Sequence, residues 1–195
     1  MKKVVLSLVA GLALAFVAKD AMAQSGNICQ VQGGVAQLRD GGIPATATPL
    51  APASLSFTFK GTLANCQGSG LAKGTKVCSK GQITGATCSA NAHTGGGVIC
   101  AGDCWEEDPR PTSPTKGQPA CKDGAPIDQS TFSGRCTGIN CTGDTGTPST
   151  NGWAYTLLFD QATVQNALAQ CDAPPAGNGG ALTSATFSGA LAYGN

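Results

Sequence analysis

The stretch SLSFTFKGTL, residues 54–63, alternates strictly between apolar or glycine positions and serine, threonine or lysine. This period of two is typical of a β-strand with one buried face. The stretch ATFSGALAY, residues 185–193, repeats the pattern near the end of the chain, and STFSGRC, residues 130–136, is a third version. In the shared pattern Cys136 takes the place of a leucine, so the sequence predicts that this cysteine faces inward.

Several such short alternating stretches, separated by glycine-rich turns, indicate an all-β protein. We expect an antiparallel β-sandwich, Ig-like or jelly-roll-like and stabilised by disulfides. Residues 54–65 and 182–193 carry the same inward pattern, and we expect them to be antiparallel neighbours.

One short helix is expected near the C-terminus. Asp160 has the character of an N-cap, and Val164, Leu168 and Cys171 follow at helical spacing. The two prolines at positions 174 and 175 end the pattern.

The N-terminus has the features of an export signal. Two lysines precede an apolar run over residues 4–17, and Ala21-Met22-Ala23 forms a cleavage site of small residues. The run is shorter than the roughly 20 residues of a membrane span, so we expect no transmembrane segment in the mature chain. Cleavage near Ala23 predicts a secreted protein, extracellular or periplasmic.

We divide the chain into three parts. Residues 1–23 are the signal peptide, residues 24–53 are an N-terminal segment with a Pro/Ala/Thr-rich linker, and residues 54–195 form a single β-sandwich domain. Without the signal peptide the chain keeps nine basic and ten acidic side chains. Such a balance provides no electrostatic footprint for nucleic acid, so no nucleic-acid partner is expected.

Ten cysteines in an exported chain favour a disulfide framework. The spacings around Cys100 and Cys136 do not match a zinc knuckle. We predict one disulfide between Cys104 and Cys121, which bracket a proline-rich loop, and another between Cys66 and Cys171. The sequence leaves the pairing of the others open: Cys29, Cys78, Cys88, Cys100, Cys136 and Cys141.

Residues 106–128 contain five of the eleven prolines and five acidic side chains. They predict a long irregular loop, which is usually functional or flexible. At its start, four carboxylates surround Trp105 and form a candidate calcium site. These carboxylates belong to Asp103, Glu106, Glu107 and Asp108. Trp105 could alternatively stack on a sugar or a partner protein, or pack locally over the region of Cys100 and Cys104.

Catalytic signals are weak. His93 is the only histidine and lies in a glycine-rich stretch, which predicts a solvated loop residue rather than a general base. No serine occupies a nucleophile elbow. We therefore expect a non-enzymatic protein without a cofactor, calcium being the one candidate ion.

The pattern Phe-x-Gly-x-Leu-x-x-Cys at 59–66, a lone Cys171 and the C-terminal stretch GGALTSATFSGALAYG resemble small Gly/Thr-rich secreted bacterial β-sandwich proteins of unknown function. The resemblance implies a secreted β-domain and no particular activity.

The leading functional hypothesis is a secreted, non-catalytic structural or adhesive module at the cell surface or in an extracellular assembly. Its partner would be another copy of the chain, another surface protein or a glycan, and residues 28–38 could reach a sheet edge during assembly. The alternative is a secreted domain that binds a small ligand, a glycan or calcium through the acidic loop around Trp105.

Overall fold

A computed structural model describes residues 27–67, 75–144, 153–171 and 180–194, so the predicted signal peptide and its cleavage site lie outside the described residues. The described part contains many strands and one helix, as the sequence predicted. In chain order the elements are β1 (Asn27–Leu38), β2 (Ile43–Pro44), β3 (Ala53–Gln67), β4 (Lys76–Ala86), β5 (Ala90–Cys100), β6 (Cys104–Trp105), β7 (Ala120–Cys121), β8 (Asp128–Thr137), β9 (Asn140–Asp144), β10 (Trp153–Phe159), α1 (Gln161–Cys171), β11 (Ala181–Leu182) and β12 (Ser184–Tyr193).

Eight strands form a closed antiparallel barrel in the order β1-β12-β10-β9-β8-β5-β4-β3. The expectation of a β-sandwich is therefore wrong. A period of two shows only that one face of each strand is buried, and that holds in a sandwich and in a barrel alike. The difference lies in whether the first and last strands pair, which no local pattern encodes.

Strand β1 closes the barrel. Val31 lies opposite Leu63 of β3 on one side and opposite Gly189 of β12 on the other. The segment that the sequence separated from the main domain is thus one of its strands. For the same reason β3 and β12 are not neighbours, contrary to expectation, because β1 lies between them.

The interior is built from aromatic rings placed against glycines. Of the nine aromatic residues after position 23, all except Trp105 face the interior. Five of the described glycines accommodate a phenylalanine, tyrosine or tryptophan ring within 2.8 Å of the place where a Cβ would be, and three of them are in strands β4 and β5. Gly81 accommodates Phe57, Gly95 accommodates Phe132 and Gly97 accommodates Trp153. Nine aromatic residues, one of them outside, thus suffice for this core because inward glycines bring the rings close to the wall.

Four disulfides connect described cysteines, and two predicted pairings are wrong. Cys66 bonds to Cys29 on the neighbouring strand, and not to Cys171. Cys104 and Cys121 are opposite each other in the β6–β7 pair, but their sulfurs reach the barrel wall instead of each other. The four bonds are Cys29–Cys66, Cys78–Cys104, Cys100–Cys121 and Cys136–Cys141. Cys88 is disulfide-bonded as well.

The short helix is confirmed as α1, and Asp160 is its N-cap. The Thr163 amide donates to Asp160 Oδ1 at 2.7 Å, and the Val164 amide donates to the Asp160 carbonyl at 3.0 Å. The first contact satisfies an amide that a helix leaves free in its first turn, and the second is the first regular hydrogen bond of the helix. Within the described ranges, no helix has the length and apolar character to cross a membrane.

Candidate functional site

The barrel encloses a cavity of about 110 Å³. Its walls are almost entirely aromatic and aliphatic side chains that point inward from the long strands. No acidic side chain, lysine or arginine is among the described residues that line it. A concave apolar space with few polar groups is the usual form of a small-molecule site.

The two ends of the barrel differ. At the end where Asn27 pairs with Tyr193, the interior is filled by side chains that are 3% exposed or less. These side chains are Leu63, Ile99, Trp153 and Tyr193. The opposite end is covered by the β2–β11 pair, whose buried Ile43 and Leu182 line the cavity, and α1 contacts β11.

The approach of β2 to β11 requires a glycine. Gly42 has a positive φ of 77°, and a Cβ there would lie 2.3 Å from the Leu182 carbonyl oxygen. Only glycine allows both the left-handed backbone and this contact. The cover over the cavity therefore depends on position 42.

A hydrogen-bonded pair crosses the cavity wall between β5 and β10. His93 Nε2 contacts the Tyr155 hydroxyl, and His93 Nδ1 lies 3.3 Å from Asn91 Oδ1. Two strands lie between β5 and β10, and there Gly134 of β8 and Gly143 of β9 are in register with His93 and Tyr155. The Tyr155 ring lies over these two glycines. Because an amide oxygen only accepts, Nδ1 carries the proton and Nε2 accepts from the tyrosine.

His93 is neutral at neutral pH. Its side chain is 8% exposed, and burial lowers its pKa to about 4. Burial and the nearby Asp144 raise the pKa of Tyr155 above its usual value. The expectation of a solvated loop residue is wrong, because the glycines of this stretch belong to strand β5 and not to a turn. With both ring nitrogens in use, the geometry assigns His93 a structural role.

Within the described residues, two polar side chains of the wall have no such partner: Ser79, and Trp153, whose Nε1 is fully buried without one. The Ser79 side chain is 4% exposed and lines the cavity from β4. No hydrogen bond of its hydroxyl is found within the described part of the chain.

The Cys136–Cys141 disulfide also lines the cavity, which confirms that Cys136 faces inward. The two residues are opposite each other in the β8–β9 pair, and Cys136 Sγ lies 4.0 Å from His93 Nδ1. As a disulfide it contributes an apolar surface to the wall.

Three of the four candidate calcium residues are engaged separately with cations: Asp103, Glu107 and Asp108. Asp103 binds Lys60 and Lys122, and Glu107 binds Lys80 at 2.7 Å. These lysines lower the pKa of both carboxyls. Among the described residues no group of three or more histidine, cysteine or acidic side chains is placed to hold a metal ion.

Asp108 organises the proline-rich loop. Its side chain is 1% exposed and accepts hydrogen bonds from the Arg110 amide and guanidinium, the Ser113 hydroxyl and the Thr115 hydroxyl. These donors hold the pKa of the carboxyl far below its usual range, with Arg110 contributing most. The loop is therefore folded around one buried carboxylate, and part of it pairs with β6 as β7.

Trp105 is half-buried on the outside of the barrel. The Arg110 guanidinium lies over its ring at 4.6 Å from the centroid, and Lys122 lies at 5.8 Å. A small cluster does form beneath the loop, but its members are Val98 and four cysteines: Cys78, Cys100, Cys104 and Cys121. The side of the ring that faces Arg110 is thus already occupied.

Sequence reasoning identified some of the cavity wall. Trp153, Tyr155, Leu157 and Phe159 alternate along the sequence as one face of a strand does, and all four line the cavity. It missed Ser79 and His93. The alternation of Asn91, His93, Gly95, Gly97 and Ile99 in β5 was the available signal, but its glycines had been interpreted as breaks.

Comparisons with protein-family models, with curated proteins and with solved structures find no match for this chain. An argument about function must therefore rest on the site itself.

Proposed function

We propose that this protein binds a small apolar molecule inside its barrel. The observation that carries the proposal is the internal cavity of about 110 Å³ with aromatic and aliphatic walls. Protein interiors are close-packed, and voids larger than a water molecule are few. A space of this size, kept in the centre of an eight-stranded barrel, matches barrels that hold one small ligand.

The volume limits the size of the ligand. An apolar cavity of about 150 Å³ is known to take up benzene and to remain dry when empty. A cavity of about 110 Å³ accordingly fits a single ring or a short branched chain. Sites for drug-sized ligands start at about 300 Å³, so larger molecules would have to displace the cover at Ile43 and Leu182.

Three further proposals come from the sequence, and different observations support each of them. Secretion rests on the N-terminal signal features. A structural or adhesive role remains an untested prediction. Ligand binding through the acidic loop is less favoured than binding in the cavity, because the carboxylates of Asp103, Glu107 and Asp108 are paired and Arg110 covers one side of Trp105.

Titration calorimetry with toluene tests the proposal. We expect saturable binding by the wild-type protein and thermal stabilisation of about 2.7 kcal/mol when free toluene is 100 times its dissociation constant. Ala185 is buried and lines the cavity, so Ala185→Leu fills part of the space and should weaken binding.

Ala190→Leu provides the matched control. It is the same substitution on the same strand, but position 190 is on the opposite face and is only partly buried. Toluene should bind this variant as it binds wild type. The proposal fails if wild-type protein does not bind toluene, or if Ala185→Leu binds it unchanged while folded.

A further inference from the structure

We infer that the ligand of the cavity is a single-ring molecule carrying one hydroxyl group, a phenol or a cyclic alcohol, and that Ser79 receives this hydroxyl. The inference rests on the proposed function and names the class of ligand. It starts from a polar side chain that is buried, faces the cavity and has no partner within the described residues.

A buried hydroxyl without a hydrogen bond is unfavourable, and buried polar side chains are almost always paired. Ser79 is 4% exposed, and it lies in the interior of β4, far from any turn. A bound group that hydrogen-bonds to the hydroxyl gives it the partner that it lacks within the described residues.

The surroundings of Ser79 select for an aromatic or cyclic ligand. On the neighbouring strand the partner of Ser79 is Gly97, which contributes no side chain. The Trp153 ring lies 2.7 Å from the place where a Cβ of Gly97 would be, and the Ser79 Cβ lies 2.9 Å from it. The hydroxyl thus stands beside an aromatic wall, where a ring can lie against apolar surface while its substituent meets Ser79.

The other polar groups of the wall are less available. Trp153 Nε1 also lacks a partner among the described residues, but it is fully buried and can only donate. His93 uses both ring nitrogens, with Asn91 and Tyr155. Because the cavity is lined by no acidic side chain, lysine or arginine, a carboxylate or ammonium group would be buried without a counter-charge. A hydroxyl is neutral and both donates and accepts, so it suits a serine hydroxyl in either direction.

A cycle of two ligands and two proteins tests the inference. Phenol and toluene differ by a hydroxyl in place of a methyl group, so their affinity ratio isolates the polar contact. We expect Ser79→Ala to lower the affinity for phenol about 3- to 10-fold relative to toluene, the range for one neutral hydrogen bond. Toluene affinity should be unchanged or increased.

Ser130→Ala is the matched control. Ser130 lies two strands away in the same register row, opposite Gly97, and its hydroxyl donates to the Thr131 carbonyl at 3.0 Å. Its removal should leave the phenol-to-toluene ratio as in wild type. Tyr155→Phe asks whether the Tyr155 hydroxyl, which contacts His93, receives the ligand hydroxyl instead.

Three results would overturn the inference. The first is that Ser79→Ala binds both ligands with the affinities of wild type. The second is that Ser79→Ala loses affinity for phenol and toluene by the same factor. The third is loss of the phenol preference in Tyr155→Phe alone, which would assign the hydroxyl to Tyr155. In all three cases toluene binding by wild type still supports the proposed function, whereas the failure of both ligands to bind wild type rejects that function itself.

Discussion

Gly97 has no side chain, and this makes room for the Trp153 ring. A Cβ there would lie 2.7 and 2.8 Å from two ring atoms and 2.9 Å from the Ser79 Cβ. None of these atoms can move freely, because Trp153 is 3% exposed and Ser79 is part of a paired strand. The residue next to it differs, since a Cβ on Gly96 would meet only the Ser130 carbonyl oxygen at 3.8 Å.

We predict that Gly97→Ala destabilises the protein by about 1–3 kcal/mol, the usual cost of overpacking a core. Gly96→Ala, one residue away on the outer face, should change stability by at most about 0.5 kcal/mol. Urea unfolding of both variants measures the difference. Equal stability of the two would mean that the Trp153 ring does not lie against Gly97.

His93 makes stability depend on pH. In the folded protein its pKa is about 4, against 6.5 for the free side chain, so the unfolded chain binds an additional proton between these values. Stability is therefore fully present above pH 6.5 and falls as the pH decreases towards 4, by roughly 3 kcal/mol in total. Carboxyls with lowered pKa, such as Asp103 and Asp108, lose their contribution only below their unfolded value of 3.8.

His93→Gln should flatten the stability profile between pH 6.5 and 4, because glutamine does not titrate. The variant is expected to be less stable than wild type at neutral pH, so the slope and not the absolute value is the test. Urea unfolding at several pH values provides it. Parallel profiles for wild type and His93→Gln would contradict a buried, neutral histidine.

At this scale the sequence was informative where a pattern was repeated. The three Phe-x-Gly stretches correctly placed Cys136 inside. They did not place His93, whose neighbours Gly95, Gly96 and Gly97 look like a turn in isolation. In the fold, two of these glycines face aromatic rings, a relation that exists only once distant strands are assembled.

The loop between β6 and β7 is an ordered element, although its composition predicts an irregular one. Its prolines correctly predicted irregular backbone, but not order. The Asp108 amide donates to the Gln118 carbonyl and the Gly117 amide donates to the Asp108 carbonyl, so the loop is tied together across its width. At its ends Cys104 and Cys121 bond to β4 and β5. A loop with this many internal bonds should resist proteolysis, contrary to the mobility expected from composition.

We predict that Asp108→Asn increases cleavage within residues 109–119 roughly tenfold, because an amide cannot accept from all four donor groups at once. The barrel should keep its far-UV circular dichroism, since the disulfides of Cys104 and Cys121 anchor both ends of the loop. Limited proteolysis followed by mass spectrometry measures the rate. Glu106→Gln, a neutralised carboxylate in the same loop, should be cleaved as slowly as wild type.

Strand β1 leads to a second prediction at this scale. It pairs along its length with both β3 and β12, and Cys29 bonds to Cys66. Deleting residues 24–38 should therefore prevent folding to a soluble monomer, where the sequence had suggested that a folded monomer would remain. A monomeric deletion variant with the β-sheet spectrum of wild type would contradict the closure of the barrel by β1.

At the scale of the whole molecule, the fold is a succession of neighbouring strands closed by its two ends. The long strands follow one another around the barrel in chain order, and within the described barrel the pairing distant in sequence is that of β1 with β12. Outside the barrel, β2 and β11 are also a distant pair. Local patterns predicted the strands and the helix well. They could not predict the closure of the barrel, the correct partners of Cys66, Cys104 and Cys121, or the cavity. Each of these depends on which distant strands become neighbours.

The disulfide map follows from this arrangement and can be checked as a whole. A non-reduced digest should yield linked peptides for Cys29–Cys66, Cys78–Cys104, Cys100–Cys121 and Cys136–Cys141. Cys88 is also bonded, so its peptide should be found linked to another cysteine peptide. A peptide linking Cys104 to Cys121 would contradict the attachment of the loop to the barrel wall.

The central claim is that the closed barrel holds a small apolar ligand in its interior, and nuclear Overhauser effects from bound toluene test it most directly. We predict contacts between toluene protons and the methyl groups of Leu38, Ile83 and Leu182, which line the cavity from three parts of the chain. The methyl groups of Leu50 and Ile139, which are exposed, should show none. Contacts confined to those exposed residues, or no contact with any methyl group at saturating toluene, would contradict the account.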